Sequence, residues 1–478
     1  MNPKRRGNCP GIDNPMPTGD GLLARMAYDA PISVAAFAAL CDASRDHGNG
    51  IIEITQRGSI QVRGLTQASA PSFAKTVVAL ELGTHVRPPF ITSPLLGLDV
   101  TEEFDARDLV SDLRCALTER PYLSSLDPKV SVLIDGGGTL HLDLVSADIR
   151  LQATGAGYIH LALGGDARNA TNVGWIDAQY VVSVVDRLLE YLAARGPTAR
   201  MRDLKSPADI AAIRATLADH VTDGHGLTRR HGLAAGHGIA AGHGFTPRQD
   251  LAPPAPPPAH PRMTLHRPPA EPLGTHLLKS ANVARGFALA FGHSTAAALH
   301  RLASAAAANG AESIRPSPGR ALLVVGLSHS AADQLAAVAA DLGFIVAPND
   351  PRRQVIACAG APACASATLP TRELAPQVVR AAGNLLDGSM FLHLSGCAKG
   401  CAHPGIASLT FAGSDRVILN GTADASAYGT YSPTQLIAGI ERLRAERERR
   451  VGESSANVLT RLGAVRVLEL MNGQSARE

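Results

Sequence analysis

Ala357-Cys358-Ala359-Gly360-Ala361-Pro362-Ala363-Cys364 and Ser395-Gly396-Cys397-Ala398-Lys399-Gly400-Cys401-Ala402-His403-Pro404 set four of the seven cysteines in two close pairs, 32 residues apart. The spacing is Cys358-x5-Cys364, then Cys397-x3-Cys401. Residues four apart share one face of a helical turn, so Cys397 and Cys401 aim their sulfurs the same way. Four thiolates match the four irons of a cubane [4Fe-4S] cluster. The residues between them are small, so backbone N–H groups can approach the sulfurs and help set a reduction potential. Zinc also accepts four cysteines, but its knuckles space them by about two to four residues, and an x5 loop is wide for that.

The chain has 478 residues, more than one hydrophobic core usually holds, so two to four domains are expected. Apolar residues make up 45% and charged residues 18%, the balance of a soluble globular protein. A net charge of +3, from 45 basic and 42 acidic residues, gives no whole-chain attraction to nucleic acid or membrane. No apolar run reaches the length of a membrane span. Met1 to Gly21 lacks the apolar stretch of a signal peptide. The expectation is a cytoplasmic protein with neither nucleic acid nor membrane as partner. In such a reducing compartment clustered cysteines bind metal or do redox work rather than pair as disulfides. Cys9, Cys41 and Cys115 read as structural, the last two as small buried hydrophobes within helical patterns.

Residues 221–275 form a linker. Gly-His pairs recur at His225, His231, His237 and His243, followed by Pro253, Pro254, Pro256, Pro257, Pro258 and Pro261. Glycine is costly to order and proline blocks hydrogen-bond ladders. A histidine tract can bind metal, but the plainer reading is a low-complexity expansion.

The linker separates two halves that resemble each other. Gly21 to Met26, a helical stretch around Val34 to Leu40, Asn49-Gly50, alternating Ile52, Ile54, Ile60 and Val62, Gly64-Leu65 and a helix to Leu82-Gly83 make up the first. The second has Gly286 to Phe291, a helix from Thr295 to Ala307, Asn309-Gly310, a strand from Leu322 to Val325, Gly326-Leu327 and a helix to Leu342-Gly343. The same punctuation in the same order argues for one α+β, ferredoxin-like unit present twice. A larger region follows each copy. In 99–220, Val130 to Ile134 reads as a strand entering Gly136-Gly137-Gly138, with a further strand from Leu140 to Leu144 and helices over 176–195 and 205–218. In 349–478, beyond the cysteines, a strand lies near Ala407 to Phe411, with helices around Pro433 to Arg447 and Ser455 to Met471.

Thr55, Arg57, Gln61 and Arg63 fall at odd positions of one alternating stretch, and read as one strand they share a face, opposite Ile54, Ile60 and Val62. Two guanidiniums on one face form forks suited to carboxylates, although an ordinary solvated sheet face shows the same alternation. Arg315 and Arg320 occupy the corresponding segment of the second half. Arg87 and Lys129 are weaker candidates. Lys399 and His403 flank Cys401, placed to tune a cluster or deliver protons, or simply to serve as a surface lysine and a capping histidine.

Cys-x5-Cys…Cys-x3-Cys resembles the signature of the siroheme/[4Fe-4S] sulfite and nitrite reductases. The text around the cysteines, with Cys9-Pro10-Gly11, Pro17-Thr18-Gly19-Asp20-Gly21 and Ser93-Pro94-Leu95-Leu96-Gly97, resembles one branch, the precorrin-3B synthases of aerobic cobalamin biosynthesis. The resemblance spans nearly the whole chain except the linker. It implies a pseudo-twofold α+β architecture: a ferredoxin-like half domain at 1–98, a sulfite/nitrite reductase-type α/β domain without a cluster at 99–220, a second half domain at 276–348 and the cluster-binding domain at 349–478. It also implies a tetrapyrrole substrate, precorrin-3A, whose carboxylates meet Thr55, Arg57, Gln61, Arg63, Lys129, Arg315 and Arg320. The cofactors it implies are a [4Fe-4S] cluster on Cys358, Cys364, Cys397 and Cys401, a separate non-haem iron, and NADH as electron source with an electron-donor reductase as partner. The alternative within the superfamily is a siroheme-dependent assimilatory sulfite or nitrite reductase. Sulfite reductases tend to carry two lysines near Lys129, and here Ser131 stands in the second place. A non-catalytic Fe–S electron carrier is the alternative of another class.

Overall fold

Ser33 and Thr295 each end a short strand and open a helix. Each hydroxyl accepts the backbone N–H three residues on, from Ala36 at 3.1 Å and Ala298 at 3.2 Å, the N-cap geometry that these side chains favour. The helices they start, Val34–His47 and Ala296–Ala308, pack together. The computed structural model describes residues 10–27, 30–82, 88–154, 157–222, 267–449 and 452–473. The Gly-His repeat, the prolines from Pro253 to Pro261, Cys9 and Arg87 lie outside these. Two units result, Met1–Thr84 with Glu271–Glu478, and His85–Ala270.

In the first unit the two ferredoxin-like copies each build a five-stranded antiparallel sheet, and each lends the other its edge. One sheet runs Met16–Thr18, Gly21–Met26, Ile60–Leu65, Ile51–Ile54 and then His293–Thr295 from the second copy. The other runs Gly274–Leu277, Val283–Ala288, Ala321–Leu327, Ser313–Ser317 and then Ile32–Ser33 from the first. One apolar core joins both copies, with Phe37, Leu40, Phe73, Phe287, Leu299 and Leu302 fully buried. Burial of each such side chain contributes about 1.5–3 kcal/mol. The glycine punctuation has a backbone cause. Gly64 and Gly326 sit at φ 72° and 93°. A Cβ there would press to 2.4 Å from Asn49 and 2.5 Å from Glu312.

The remaining sheet of this unit runs Val355–Ala357, Leu392–Ser395, Ala407–Ala412, Arg416–Gly421 and Gly429–Thr430, its first two pairings parallel and the others antiparallel. In the second unit, Phe90–Thr92, Val132–Asp135, Ala147–Ala153, Tyr158–Gly165, Thr171–Asp177 and Val221–Thr222 form a sheet with the same succession, parallel, parallel, then antiparallel. The doubled plan thus extends to the reductase-type sheets. Ser93 to Gly97 and Gly136 to Gly138 follow the strands that correspond to those preceding the cysteines.

Four expectations change. The stretch 221–275 is not linker at its ends: Val221–Thr222 pairs with Thr171–Asp177, and Gly274–Leu277 pairs with Val283–Ala288. The strand Phe90–Thr92, assigned above to the half domain 1–98, pairs into the second unit's sheet. Leu140 to Leu144 is a turn region rather than a strand. Its His141 and Asp143 are engaged with Pro268 and Arg267, and Leu142 N–H goes to the Asp135 carboxylate at 3.0 Å. Cys115 is exposed on the helix Arg107–Leu117, because Leu109, Val110, Leu113 and Leu117 form the buried stripe there. Cys41 is buried as expected, and burial, with the Asp42 charge, pushes its thiol up to about 12. No helix among the described residues is long and apolar enough to cross a membrane.

Candidate functional site

Val355–Ala357 pairs in parallel with Leu392–Ser395, Ala357 opposite Leu394. The chain leaves the first strand into Cys358 and the second into Gly396 and Cys397, so both cysteine loops start from the same end of adjacent strands. Backbone contacts knit them together. Cys358 N–H donates to Leu394 O at 3.3 Å and Thr368 N–H to Gly396 O at 2.9 Å. Gly396 N–H donates to Cys358 Sγ at 3.1 Å. A Cβ on Gly396 would stand 2.5 Å from the Ala367 Cβ, so this approach needs glycine. Within the first loop Cys364 N–H reaches Gly360 O at 2.8 Å. Lys399 Nζ donates to Ser366 Oγ at 2.8 Å, a further tie between the loops. Cys358, Cys364 and Cys397 are partly buried, Cys401 is exposed, and none is in a disulfide.

Each loop is braced by an arginine from a different ferredoxin-like copy. Arg63 Nη2 donates to the carbonyl of Ala363, beside Cys364. The same guanidinium holds Asp20 in a two-pronged pair at 2.9 and 3.0 Å. Burial would raise the Asp20 carboxyl, but hydrogen bonds from Arg63 and Thr18 outweigh it and hold it below the usual carboxylate range. The hairpin turn beside Asp20 presses on the same loop: Gly19 N–H donates to Ala363 O at 3.1 Å. Arg320 Nη2 donates to Ala402 O at 2.7 Å, beside Cys401. Loss of solvent pulls the Arg320 guanidinium down to about 10 against the upward pull of the Cys358 sulfur, so it remains a cation at neutral pH.

The structure therefore redistributes the expected carboxylate-binding residues. Thr55 to Ser59 is a turn rather than part of one strand: Thr55 N–H donates to Ser59 O at 2.9 Å, and Ser59 N–H to Thr55 Oγ1 at 3.0 Å. Arg57 is exposed on that turn, which bridges to Pro318. Gln61 and Arg63 do share a face, but it is buried, at 6% and 3% exposure. Gln61 satisfies both neighbours with its nitrogen toward Glu53 Oε2 and its oxygen toward Arg25 Nε, each at 2.6 Å. Glu53 also pairs with Arg372 on the helix Thr371–Ala382. Gln61 and Arg63 are thus internal braces rather than open anion forks. Arg315 lies half-buried on the strand Ser313–Ser317. Lys129 belongs to the second unit, where its carbonyl accepts from Arg200 at 2.9 Å. His403 Nε2 donates to Ile406 O at 3.1 Å.

The sequence reading passed over Asp20, Arg25, Glu53, Arg372 and His393. Only Thr18-Gly19-Asp20 carried a signal, as part of the family-like N-terminal text.

A curated precorrin-3B synthase from Sinorhizobium sp is 38% identical over 477 residues, covering 97% of this chain and 94% of that one. The chain belongs to the precorrin-3B synthase family. Residues 16–80 of this family member also match the nitrite/sulfite reductase ferredoxin-like half domain, the stretch that contains Asp20, Arg57 and Arg63. Among solved structures, the Mycobacterium tuberculosis NirA protein superposes with a TM-score of 0.68 at 20% identity, over 93% of this chain and 84% of that one. That likeness shows that this precorrin-3B synthase family member has the fold of NirA.

Proposed function

We propose that this chain catalyses the precorrin-3B synthase reaction. Precorrin-3A is hydroxylated at the C20 meso carbon and its ring-A acetate closes to a γ-lactone. One oxygen atom of O2 enters the product and the other leaves as water, with two electrons drawn from NADH through a donor reductase. The observation that carries this reading is the pair of cysteine loops at the ends of adjacent parallel strands, each braced by an arginine from one ferredoxin-like copy.

Cys358, Cys364, Cys397 and Cys401 would hold a [4Fe-4S] cluster. The donor set fits: four thiols, with an amide N–H 3.1 Å from Cys358 Sγ. A cubane takes one thiolate per iron. When bound, the cluster supplies one-electron transfer. With four thiolates it would offer no open position for O2.

Of this chain's own residues, Arg57, exposed on the turn against Pro318, and Arg315 would hold substrate carboxylates, with Thr55 on the same turn. Holding several carboxylates fixes the macrocycle and so orients its meso carbon. Turnover of precorrin-3A that requires both O2 and NADH supports the reading. A visible spectrum with siroheme bands and turnover of sulfite or nitrite would replace it with the reductase. A stable cluster with neither turnover nor tetrapyrrole affinity would leave an electron carrier.

A further inference from the structure

The strand Leu392–Ser395 sends Leu392 and Leu394 into the apolar core, so His393 points to the opposite face. It sits between Ile356 and Thr410 on the neighbouring strands. It has no exposed surface, and neither ring nitrogen has a hydrogen-bond partner. A buried polar group without a partner costs folding free energy, and native proteins keep one where a ligand or a chemical task needs it.

The ring lies beneath the loop that carries Cys397 and Cys401. His403 meets it edge-on, with ring centroids 5.6 Å apart. A Cβ built on Gly400 would stand 3.9 Å from His393 Cε1. Arg320, which holds the carbonyl beside Cys401 and feels the Cys358 sulfur, is close enough to disfavour a second proton on the ring. Burial, His403 and Arg320 together keep the imidazole neutral. A neutral imidazole has one N–H to give.

We propose that His393 donates this N–H to the sulfur shell of the cluster held by the four cysteines, and thereby raises its reduction potential. The inference rests on the cluster assignment made above. Reduction adds negative charge to the sulfurs, so a donor aimed at them favours the reduced state. His393 is a tuning residue, not a metal ligand: among the described residues no third ligand-type side chain joins it and His403 around a common point.

The test uses the full chain, isolated anaerobically, with His393→Leu and His393→Gln. Iron and acid-labile sulfide are assayed, and an EPR-monitored redox titration gives the potential. The Leu variant should keep iron and sulfide but shift the oxidised-to-reduced ratio about tenfold toward oxidised at fixed poise, about 59 mV lower for one electron. Gln, which keeps an N–H, should recover at least half of that shift. Stripped of iron, the Leu variant should unfold at no lower urea concentration than the parent, because it removes an orphaned group rather than a bond. An unchanged potential in a cluster-bearing Leu variant overturns the proposal. So does loss of one iron with sulfide intact, which would make His393 a ligand of a separate ion. Absence of sulfide from the parent is a different failure, since it removes the cluster assignment itself.

Discussion

Arg63 Nη2 donates to the carbonyl oxygen of Ala363, a residue 300 positions further along the chain. The contact joins the first ferredoxin-like sheet to the loop between Cys358 and Cys364. Arg63 has 4% side-chain exposure and its partner Asp20 has 17%. A pair this enclosed is costly to break from one side, because the surviving charge stays buried. Arg63→Ala is expected to destabilise the chain by about 3–5 kcal/mol and to yield protein with depleted cluster. Urea unfolding and iron assay check both. A variant with parental stability and full iron would show that the brace is dispensable.

Gly19 tests the same clamp sterically. A Cβ there would fall 2.0 Å from Pro362 O, a backbone atom that cannot swing aside. Gly19→Ala should cost about 1–3 kcal/mol by overpacking and loosen the first cysteine loop, read as faster loss of iron to a chelator. An iron-release rate equal to that of the parent would mean that the hairpin tip does not press on the loop.

Arg57 should behave in the opposite way. It is exposed on the turn from Thr55 to Ser59 and lies on neither cysteine loop, so Arg57→Ala is expected to keep the cluster. It should weaken tetrapyrrole binding by about 1.5–3 kcal/mol, the contribution of a hydrogen bond to a charged group. Titration with precorrin-3A under anaerobic conditions measures this, and unchanged affinity would remove Arg57 from the substrate site.

His393 gives the iron-free chain a pH signature. Burial, with His403 and Arg320, lowers its pKa from 6.5 to about 3. Between those values the unfolded chain binds the proton that the folded chain refuses. Stability therefore rises with pH across this window and is lost as pH falls from 6.5 toward 3. From pH 7 to pH 5 the parent should lose about 2 kcal/mol more than His393→Leu. Carboxylates common to both chains cancel in the difference. Parallel stability profiles would show that the ring takes up its proton without penalty.

The repeated Asn-Gly and Gly-Leu punctuation was legible because backbone geometry forces it: Gly50 and Gly310 at φ 70° and 77°, and Gly64 and Gly326, all need left-handed backbone. The cysteine spacing was legible because covalent ligands leave a fixed sequence trace. The exchange of edge strands was not. Ile32–Ser33 and His293–Thr295 are two and three residues long, too short for a period-2 pattern, and their partners are distant in sequence. The Thr55 to Ser59 turn was hidden because period-2 polarity runs on through it, so two strands read as one. Arg63 and Gln61 were expected to face a substrate carboxylate, but their shared face is covered within the chain by Asp20, Ala363, Glu53 and Arg25. His393 was invisible because a histidine in a strand looks the same whether or not its nitrogens are satisfied.

Iron and acid-labile sulfide in the anaerobically isolated parent, set against Cys364→Ser, test the central assignment most directly. The account predicts about four sulfides per chain, with at least as many irons, in the parent and none in the variant. A parent that contains no acid-labile sulfide, or a Cys364→Ser protein that retains it in full, would contradict the account.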